Sequence, residues 1–524
     1  MHLNIIGGGP AGAFTARLAA LRHPGWTVHL HERLPPDDTF GFGVGLTRAL
    51  LRAVELADPA IFDRLMAATF PFSSARFSLP QGTIAFGQFH SGAIRRSELL
   101  RILLDGAAEA GAQVHIGSDA HVDDLRSEAD IVVGADGLSS STRERFAPHL
   151  GVRSTCGRGA FIWCGADIEL DGTVFQPVRM PAGVFVAHSY PYAPGLSTFV
   201  IEASAETLER AGFTDREWES DSASDEQALD YLSHAFAKLL DGGRFFGNRS
   251  RWTHFTTLEC EQWSYENVVL IGDAVATVHP SLGSGTKVAL ESAIALVDHL
   301  DTAEDQPISQ SLAQFTRARR PSVARLQDRA VRSQLWWESF PVRMDLSPAR
   351  IAVAYLSRAG VVSLDGLAES EPALAAAAMA DFSGVSTSVI PPRDLTEWVL
   401  DLPFGADGFT LTDRRLGAAD PRTDHDAATI EVISGDAWGP EGDGYLKLAH
   451  AKAKSGAQVI TLAGGGTRAD VMDRLAVAER IRSETGRAVA IQARSDQMDI
   501  VADGIVAGRA DLLRLEAPTE NVSA

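Results

Sequence analysis

The chain opens on an apolar run, HLNII at positions 2–6, that stops at a group of glycines. From Ala11 to Ala20 apolar residues recur at helical spacing, and WTVHLHE from Trp26 to Glu32 alternates as a half-buried strand does. Strand, glycine turn, helix, strand is the opening of a doubly wound α/β domain. Leu46 to Leu65 predicts a helix, and residues 70–90 alternate about a Pro80-Gln81-Gly82 turn and predict a hairpin. Residues 96–110 predict a helix, and ADIVVGADG, ending at Gly137, predicts a buried strand running into a turn.

From 155 to 260 the pattern changes to short strands, FIWCGADIEL, GVFVAHSYPY and LSTFVIEA, with one helical stretch at 224–240. A buried strand returns at NVVLI (267–271), followed by a helix from about 286 to 300. The reading is a discontinuous α/β domain (1–70, 91–155 and 261–305) with a β-sheet domain spliced into it (71–90 and 156–260). Residues 306–385 are helical and rich in Arg and Ala; PALAAAAMA within them is a low-complexity helix. Pro, Gly and Asp gather over 386–427, which reads as a linker, and 428–524 alternates strands and helices as βα units. About four strands are too few for a closed eight-stranded barrel.

Length and charge narrow the classes. The 524 residues suit three or four structural units, and a net charge of −21 excludes nucleic acid and anionic membrane as standing partners. Cys156, Cys164 and Cys260 have neither metal-ligand spacing nor the number for a disulfide framework, so no metal site and a reducing cytoplasm are expected. No run of 18 apolar residues predicts a membrane span, and the N-terminus lacks the charged head, apolar run and cleavage site of a signal peptide.

The chemistry starts at Gly7-x-Gly9-x-x-Gly12, placed after a strand and, through Pro10 and Ala11, opening a helix. Gly7 permits the tight turn, Gly9 lets backbone approach a pyrophosphate, and Gly12 lets helix and strand pack closely. Glu32 lies twenty residues past Gly12, at the end of the second strand, where a carboxylate accepts ribose hydroxyls. A bare glycine turn is the structural alternative; strand, helix and acid in their places favour a dinucleotide. Two later motifs extend the set: Gly134-Ala135-Asp136-Gly137, and Gly272-Asp273-Ala274 followed by Pro280 and Gly283-Ser284-Gly285. Either alone is most often a strand-end turn.

Together and in this order, the three motifs resemble those of the single-component FAD aromatic hydroxylases of the p-hydroxybenzoate hydroxylase kind. The resemblance implies a Rossmann-like FAD domain, NADH or NADPH and O2 as co-substrates, Asp273 on the ribityl chain, and the glycine turn with Gly283, Gly285, Thr286 and Lys287 near the pyrimidine ring. It adds Arg33, Gly43, Val44, Arg96, Asp136, Gly272 and Pro280 to the cofactor contacts. A helix N-terminus there would stabilise negative charge on a reduced flavin.

A narrower resemblance rests on TFGFGVGL (39–46), AHSYPYAPGLSTFVIEA (187–203), GSGTKVALESA (283–293) and SQLWWE (333–338). These are similar to segments of the aryl-coenzyme A hydroxylases, over residues 1 to about 390. The implied substrate is a small-molecule aryl-CoA thioester, with salicylyl-CoA (salicyloyl-CoA) hydroxylated at C5 to gentisyl-CoA; a 2-aminobenzoyl thioester, a free aromatic acid or an indole are alternatives. An inactive flavin-binding scaffold is the alternative of another class, and the intact Gly7, Gly9, Gly12, Asp136 and Asp273 argue against it. His188 and His279 are candidates for the base that deprotonates a substrate phenol, though each also reads as a packing histidine. Tyr190 and Arg320 are candidate substrate contacts. Arg317, Arg319, Arg320, Arg325, Arg329 and Arg332 either meet CoA phosphates or form a solvated helix face. Lys287 either stands beside the flavin or thioester or is solvated.

The tail, 476–518, resembles the last βα units of the old yellow enzyme barrel, with Glu516-Ala517-Pro518 where that family closes on Ala-Arg-Pro. A partial barrel cannot assemble a phosphate site from several loops. No FMN is therefore expected, and the tail is assigned to packing or to a homodimer contact.

Overall fold

The computed structural model describes residues 1–87, 90–214, 220, 222–301, 306–406, 409–417 and 429–516. It divides into two compact units, Met1–Arg76 with Gln88–Gln334, and Phe77–Gly87 with Leu335–Ala524.

The first unit holds two sheets. One has six strands in the order Ser264–Tyr265, Val268–Leu270, Ile131–Gly134, His2–Ile6, Thr27–Glu32, Gln113–Ile116. Its pairings are parallel apart from the Ser264–Tyr265 hairpin. Apolar runs such as Ile131–Val133 are buried on both faces, as crossover helices on both sides require. Helices Pro10–Arg22 and Gly285–Asp301 supply much of that cover. The second sheet is antiparallel: Phe245–Phe246, Val152–Ala166, Leu196–Ala203, Gly183–Ala193, Thr173–Met180, with Thr253–Cys260 also on Val152–Ala166. A short ribbon pairs Gly43–Thr47 with His90–Arg95.

The helix expected over 46–65 is two helices, Arg48–Ala57 and Pro59–Ala68. Asp58 breaks it. Its carboxylate accepts from the backbone N–H of Ile61 at 3.2 Å and pairs with buried Arg17, Nε to Oδ2 at 2.5 Å, while Pro59 takes the first helical position, where its missing N–H costs nothing.

The second unit carries helices Pro348–Ser357, Leu364–Ser370 and Pro372–Ser383, then a five-stranded parallel sheet ordered Arg415–Leu416, Leu512–Leu515, Ala488–Ala493, Val459–Gly464, Thr429–Val432. The stretch read as a linker is partly structured: it holds helix Leu395–Asp401, strands Phe404–Ala406 and Phe409–Leu411, and the fifth strand of that sheet. Its strands are two or three residues long, too short for alternation to show against Pro, Gly and Asp. Residues 418–428 lie outside the described residues, as do Ala517 and Pro518 of the tail motif.

Candidate active site

The site is built first from the glycine turn. Gly7 has φ +102°, and a Cβ there would stand 2.3 Å from the Ala135 carbonyl oxygen. A Cβ on Gly12 would stand 2.0 Å from the carbonyl oxygen of Gly7. Both glycines are consumed by close packing of helix and strand. Gly9 differs: a Cβ there would meet nothing within 4 Å. It is the N-cap of Pro10–Arg22, has no side-chain capping bond, and leaves the first helical N–H groups facing open space. A bare, positively polarised helix end with an open approach is what a pyrophosphate requires.

Glu32 joins this turn directly. Its Oε2 accepts from the Gly8 N–H at 2.6 Å and its Oε1 from the Leu34 N–H at 2.8 Å. Arg33 beside it is exposed. Asp136 is turned into its own loop, accepting from Ser140 Oγ at 2.6 Å and from the Thr142 N–H at 3.0 Å. It therefore shapes the turn through Gly137 and the start of helix Ser141–Leu150.

Asp273 behaves differently from Asp136. Its side chain is exposed, and its carboxylate has no hydrogen-bond partner among the described residues. Enclosure raises its pKa and the charge of Arg96 opposes that rise. Burial lowers the pKa of Arg96 in turn, with Asp273 opposing. Arg96 Nε donates to Thr39 Oγ1 at 3.1 Å, and the guanidinium lies 4.4 Å from the ring centroid of Phe40 and 5.8 Å from that of Trp163. An exposed, unpartnered carboxylate in the field of a cation that lies over aromatic rings is placed to accept hydroxyl groups of a polar ligand.

Beyond Asp273 the chain turns at Pro280–Leu282, passes Gly283 at φ +60°, and enters helix Gly285–Asp301 with Thr286 half-buried in its first turn. His279 is the hinge of this turn. It is buried, its Nδ1 lies 2.9 Å from Ser281 Oγ and accepts from the Ser281 N–H at 3.3 Å, and Phe255 meets its ring edge-on at 4.8 Å. Lys287 pairs with Glu291 at 2.7 Å, and Glu291 also takes Arg319 at 3.0 Å, so the lysine's charge is committed to its own helix.

The antiparallel sheet supplies the other wall. Its residues split by face. Ile162, Cys164, Phe185, Phe199 and Ile201 pack with Leu229, Leu232 and Phe236 into a core, where burial pushes the Cys164 thiol far up and leaves it inert. The alternate positions Trp163, Val200, His188 and Phe175 are register partners in one row across four strands. Tyr190, two residues from His188 on that face, donates to the Gly43 carbonyl oxygen at 3.2 Å; burial raises its pKa to about 12, so it remains a neutral donor. Gly43 has to be glycine here, since a Cβ would stand 2.3 Å from the Cβ of Tyr192. Val44 follows on the same strand, opposite Ile94.

Sequence reading missed three members of this wall. Glu202 stands 3.4 Å from His188 Nε2, and both side chains are about nine-tenths buried. Trp163 Nε1 donates to Thr198 Oγ1 at 2.6 Å, and its ring fills the space over Gly41. Asn248 Nδ2 donates to the carbonyl oxygens of Thr39 at 2.9 Å and Gly41 at 3.0 Å, clamping the loop that carries Phe40. Period-two alternation placed Trp163 and Glu202 on the His188 face; nothing in the sequence marks Asn248, which acts across 207 residues. Arg320 is half-buried on helix Ile308–Glu338, outside this wall. Among the described residues no group of three or more His, Cys, Asp or Glu side chains can hold a metal, and no helix is long and apolar enough to cross a membrane.

Comparison with known proteins matches this architecture. The model of the FAD binding domain family matches residues 2–330. Salicyloyl-CoA 5-hydroxylase from a Streptomyces species is 31% identical over 98% of this chain and 99% of its own length. The 3-hydroxy-4-methyl-anthranilyl-[aryl-carrier protein] 5-monooxygenase of Streptosporangium sibiricum is 34% identical over 70% of this chain and 97% of its own. Among solved structures, 2-methyl-3-hydroxypyridine-5-carboxylic acid oxygenase shares the fold over 68% of this chain and 96% of its own, with a TM-score of 0.52 at 20% identity. The likeness of the tail to the old yellow enzyme barrel is not supported; salicyloyl-CoA 5-hydroxylase is a relative that matches along the tail as well. Strand–helix alternation is common to open parallel sheets and barrels, so the pattern alone could not separate them. The chain belongs to the FAD binding domain family and is an FAD-dependent aromatic monooxygenase.

Proposed function

We propose that this enzyme hydroxylates an aromatic acid held as a coenzyme A thioester, with salicyloyl-CoA converted to gentisyl-CoA by NAD(P)H and O2 as the leading reaction. The observation that carries the reading is the match to salicyloyl-CoA 5-hydroxylase along nearly the whole of both chains, tail included. A 2-aminobenzoyl thioester is the second reading, favoured by the relative that acts on an anthranilyl group carried by a protein.

In this reading the open helix end behind Gly9 and the Pro10–Ala11 backbone hold the pyrophosphate, and Glu32 holds the adenosine ribose. Asp273 takes the ribityl hydroxyls, with Arg96 opposite. Gly283 closes the turn by donating its own N–H to the Pro280 carbonyl oxygen, and Gly285 and Thr286 would offer the backbone N–H groups of the helix N-terminus to the pyrimidine edge. FAD, reduced by the nicotinamide, supplies activated oxygen when bound; the protein's part is to place the ring and keep water away. The row Trp163, Val200, His188 and Phe175 is the platform for that ring. His188, oriented by Glu202, is the group that holds the proton of an ortho hydroxyl or amine, whereas His279 serves the turn beneath.

The test is NAD(P)H oxidation coupled to product formation with salicyloyl-CoA, 2-aminobenzoyl-CoA and free salicylate. Product from the first and not from the last supports the reading; product only from the free acid removes the thioester from it.

A further inference from the structure

We propose that the solvent face of helix Ile308–Glu338 binds the phosphates of the coenzyme A nucleotide, through Arg325 and Arg329 with Arg317 beyond them. The proposal rests on the aryl-CoA reading above and deepens it.

The electrostatics of the helix set it apart. The chain has 68 acidic and 47 basic residues, and many of its surface arginines pair with carboxylates. Arg64 pairs with Glu109, Arg145 with Asp123 and Arg153 with Glu259. From Ile308 to Gln334 the balance reverses: six arginines accompany a single acid, Asp328. Arg319 turns inward to Glu291, Ser292 and the Val288 carbonyl oxygen. Arg317, Arg320, Arg325 and Arg329 make no hydrogen bond or ion pair among the described residues, and Arg317, Arg325 and Arg329 are exposed. Four unmatched guanidinium forks on one helix, in a protein this acidic, are an anion-binding surface in waiting.

The spacing suits a ligand with several separated phosphates. Arg325 and Arg329 are neighbours on one face, about 6 Å apart at Cβ. Arg317 lies eight residues earlier, about 12 Å along the axis. A coenzyme A thioester carries a diphosphate and a separate 3′-phosphate, whereas a free aromatic acid carries one carboxylate. A single carboxylate would leave the row unmatched.

The helix is also joined to the site. Gln327, between Arg325 and Arg329 in sequence and on the inward side, donates to the carbonyl oxygens of Leu258 at 2.7 Å and Thr277 at 3.0 Å. Ser333 Oγ lies 2.7 Å from Ser281 Oγ, within the turn that leads to Gly283. The arginine-bearing turns are thus pinned to the segment that carries His279, and the pantetheine arm would bridge the two.

The experiment compares two thioesters on the holoenzyme: salicyloyl-CoA, and salicyloyl-pantetheine, which lacks the nucleotide. The expected result for Arg325→Glu with Arg329→Glu is a KM for salicyloyl-CoA raised roughly ten-fold, with the KM for salicyloyl-pantetheine moved by less than about two-fold. The paired Lys variant keeps the charge and loses the fork, so its KM falls between wild type and the Glu pair. KM values that shift equally for both thioesters, or for neither, overturn the proposal while leaving the aryl-CoA reading intact. A wild-type enzyme that oxidises NAD(P)H with free salicylate and not with salicyloyl-CoA overturns the parent reading, and the arginine site with it.

Discussion

Replacing Gly9 by alanine separates cofactor binding from folding, and Gly12→Ala is its counterpart. At Gly9 the backbone is extended, φ −62° and ψ 176°, a conformation any residue adopts, and an added Cβ meets nothing within 4 Å. The ligand-free protein should therefore be unharmed, or stabilised by about 0.4–1 kcal/mol from the lost freedom of the unfolded chain. The same methyl group stands in the approach to the helix end. Holding a phosphate off its N–H donors forfeits charge-assisted hydrogen bonds worth about 1.5–3 kcal/mol each, so the Kd for FAD should rise ten-fold or more. At Gly12 the order reverses. Alanine gains about 1 kcal/mol of helix propensity, but its Cβ would sit 2.0 Å from a backbone oxygen that cannot swing away. Overpacking costs about 1–3 kcal/mol, so helix and strand must part and stability falls before any FAD is added. Thermal unfolding of the FAD-free proteins and FAD titration by flavin fluorescence measure the two quantities separately. A Gly9→Ala protein that binds FAD like wild type, or a Gly12→Ala protein as stable as wild type, refutes this division of labour.

Asn248→Ala removes two hydrogen bonds from the loop carrying Phe40, about 1 kcal/mol each, and should raise the KM for the aromatic substrate with little change in FAD affinity; steady-state kinetics beside an FAD titration checks it. His188→Ala should lower kcat about a hundred-fold, whereas His279→Ala should act mainly on thermal stability; steady-state kinetics and thermal melts of the two variants check it. Acid should destabilise the FAD-binding unit through His29 and His31 on strand Thr27–Glu32, which stack against His115 on the neighbouring strand Gln113–Ile116. Burial and mutual repulsion lower the pKa of His29 and His31 in the fold, so as pH drops through about 6.5 the unfolded chain takes up protons first and stability is lost progressively below that point. Melting temperatures from pH 7.5 to 5.5 test this, and His29→Gln with His31→Gln should flatten the slope. Tyr190→Phe should cost about 1 kcal/mol of stability by freeing the Gly43 carbonyl, with no new pH dependence below pH 9 in activity assays.

Much of the FAD-binding frame was legible because its signals are local. Gly7, Gly9, Gly12 and Glu32 announce a strand, a turn and a helix within one stretch, and NVVLI before Gly272 announces another. The functions of individual polar residues were not legible, because they depend on what lies across the fold. Asp136 and Asp273 sit in similar strand-end motifs, yet one carboxylate is consumed by Ser140 and Thr142 while the other stays open. The pattern leaves Lys287 either beside the flavin or thioester or in solvent, and the i, i+4 position of Glu291 disposes of its charge. Asn248 left no trace, since its bonds reach Thr39 and Gly41 from another part of the chain. The tail's βα alternation was readable as secondary structure, but neither its fifth strand nor its ancestry was, because short strands and open sheets share their pattern with many folds.

The most direct measurement is the mass of the organic product formed under ¹⁸O₂ from salicyloyl-CoA and NAD(P)H by the FAD-loaded enzyme. The account predicts one labelled oxygen on the ring of an intact CoA thioester. Unlabelled product, or label appearing only on a free aromatic acid, would contradict it.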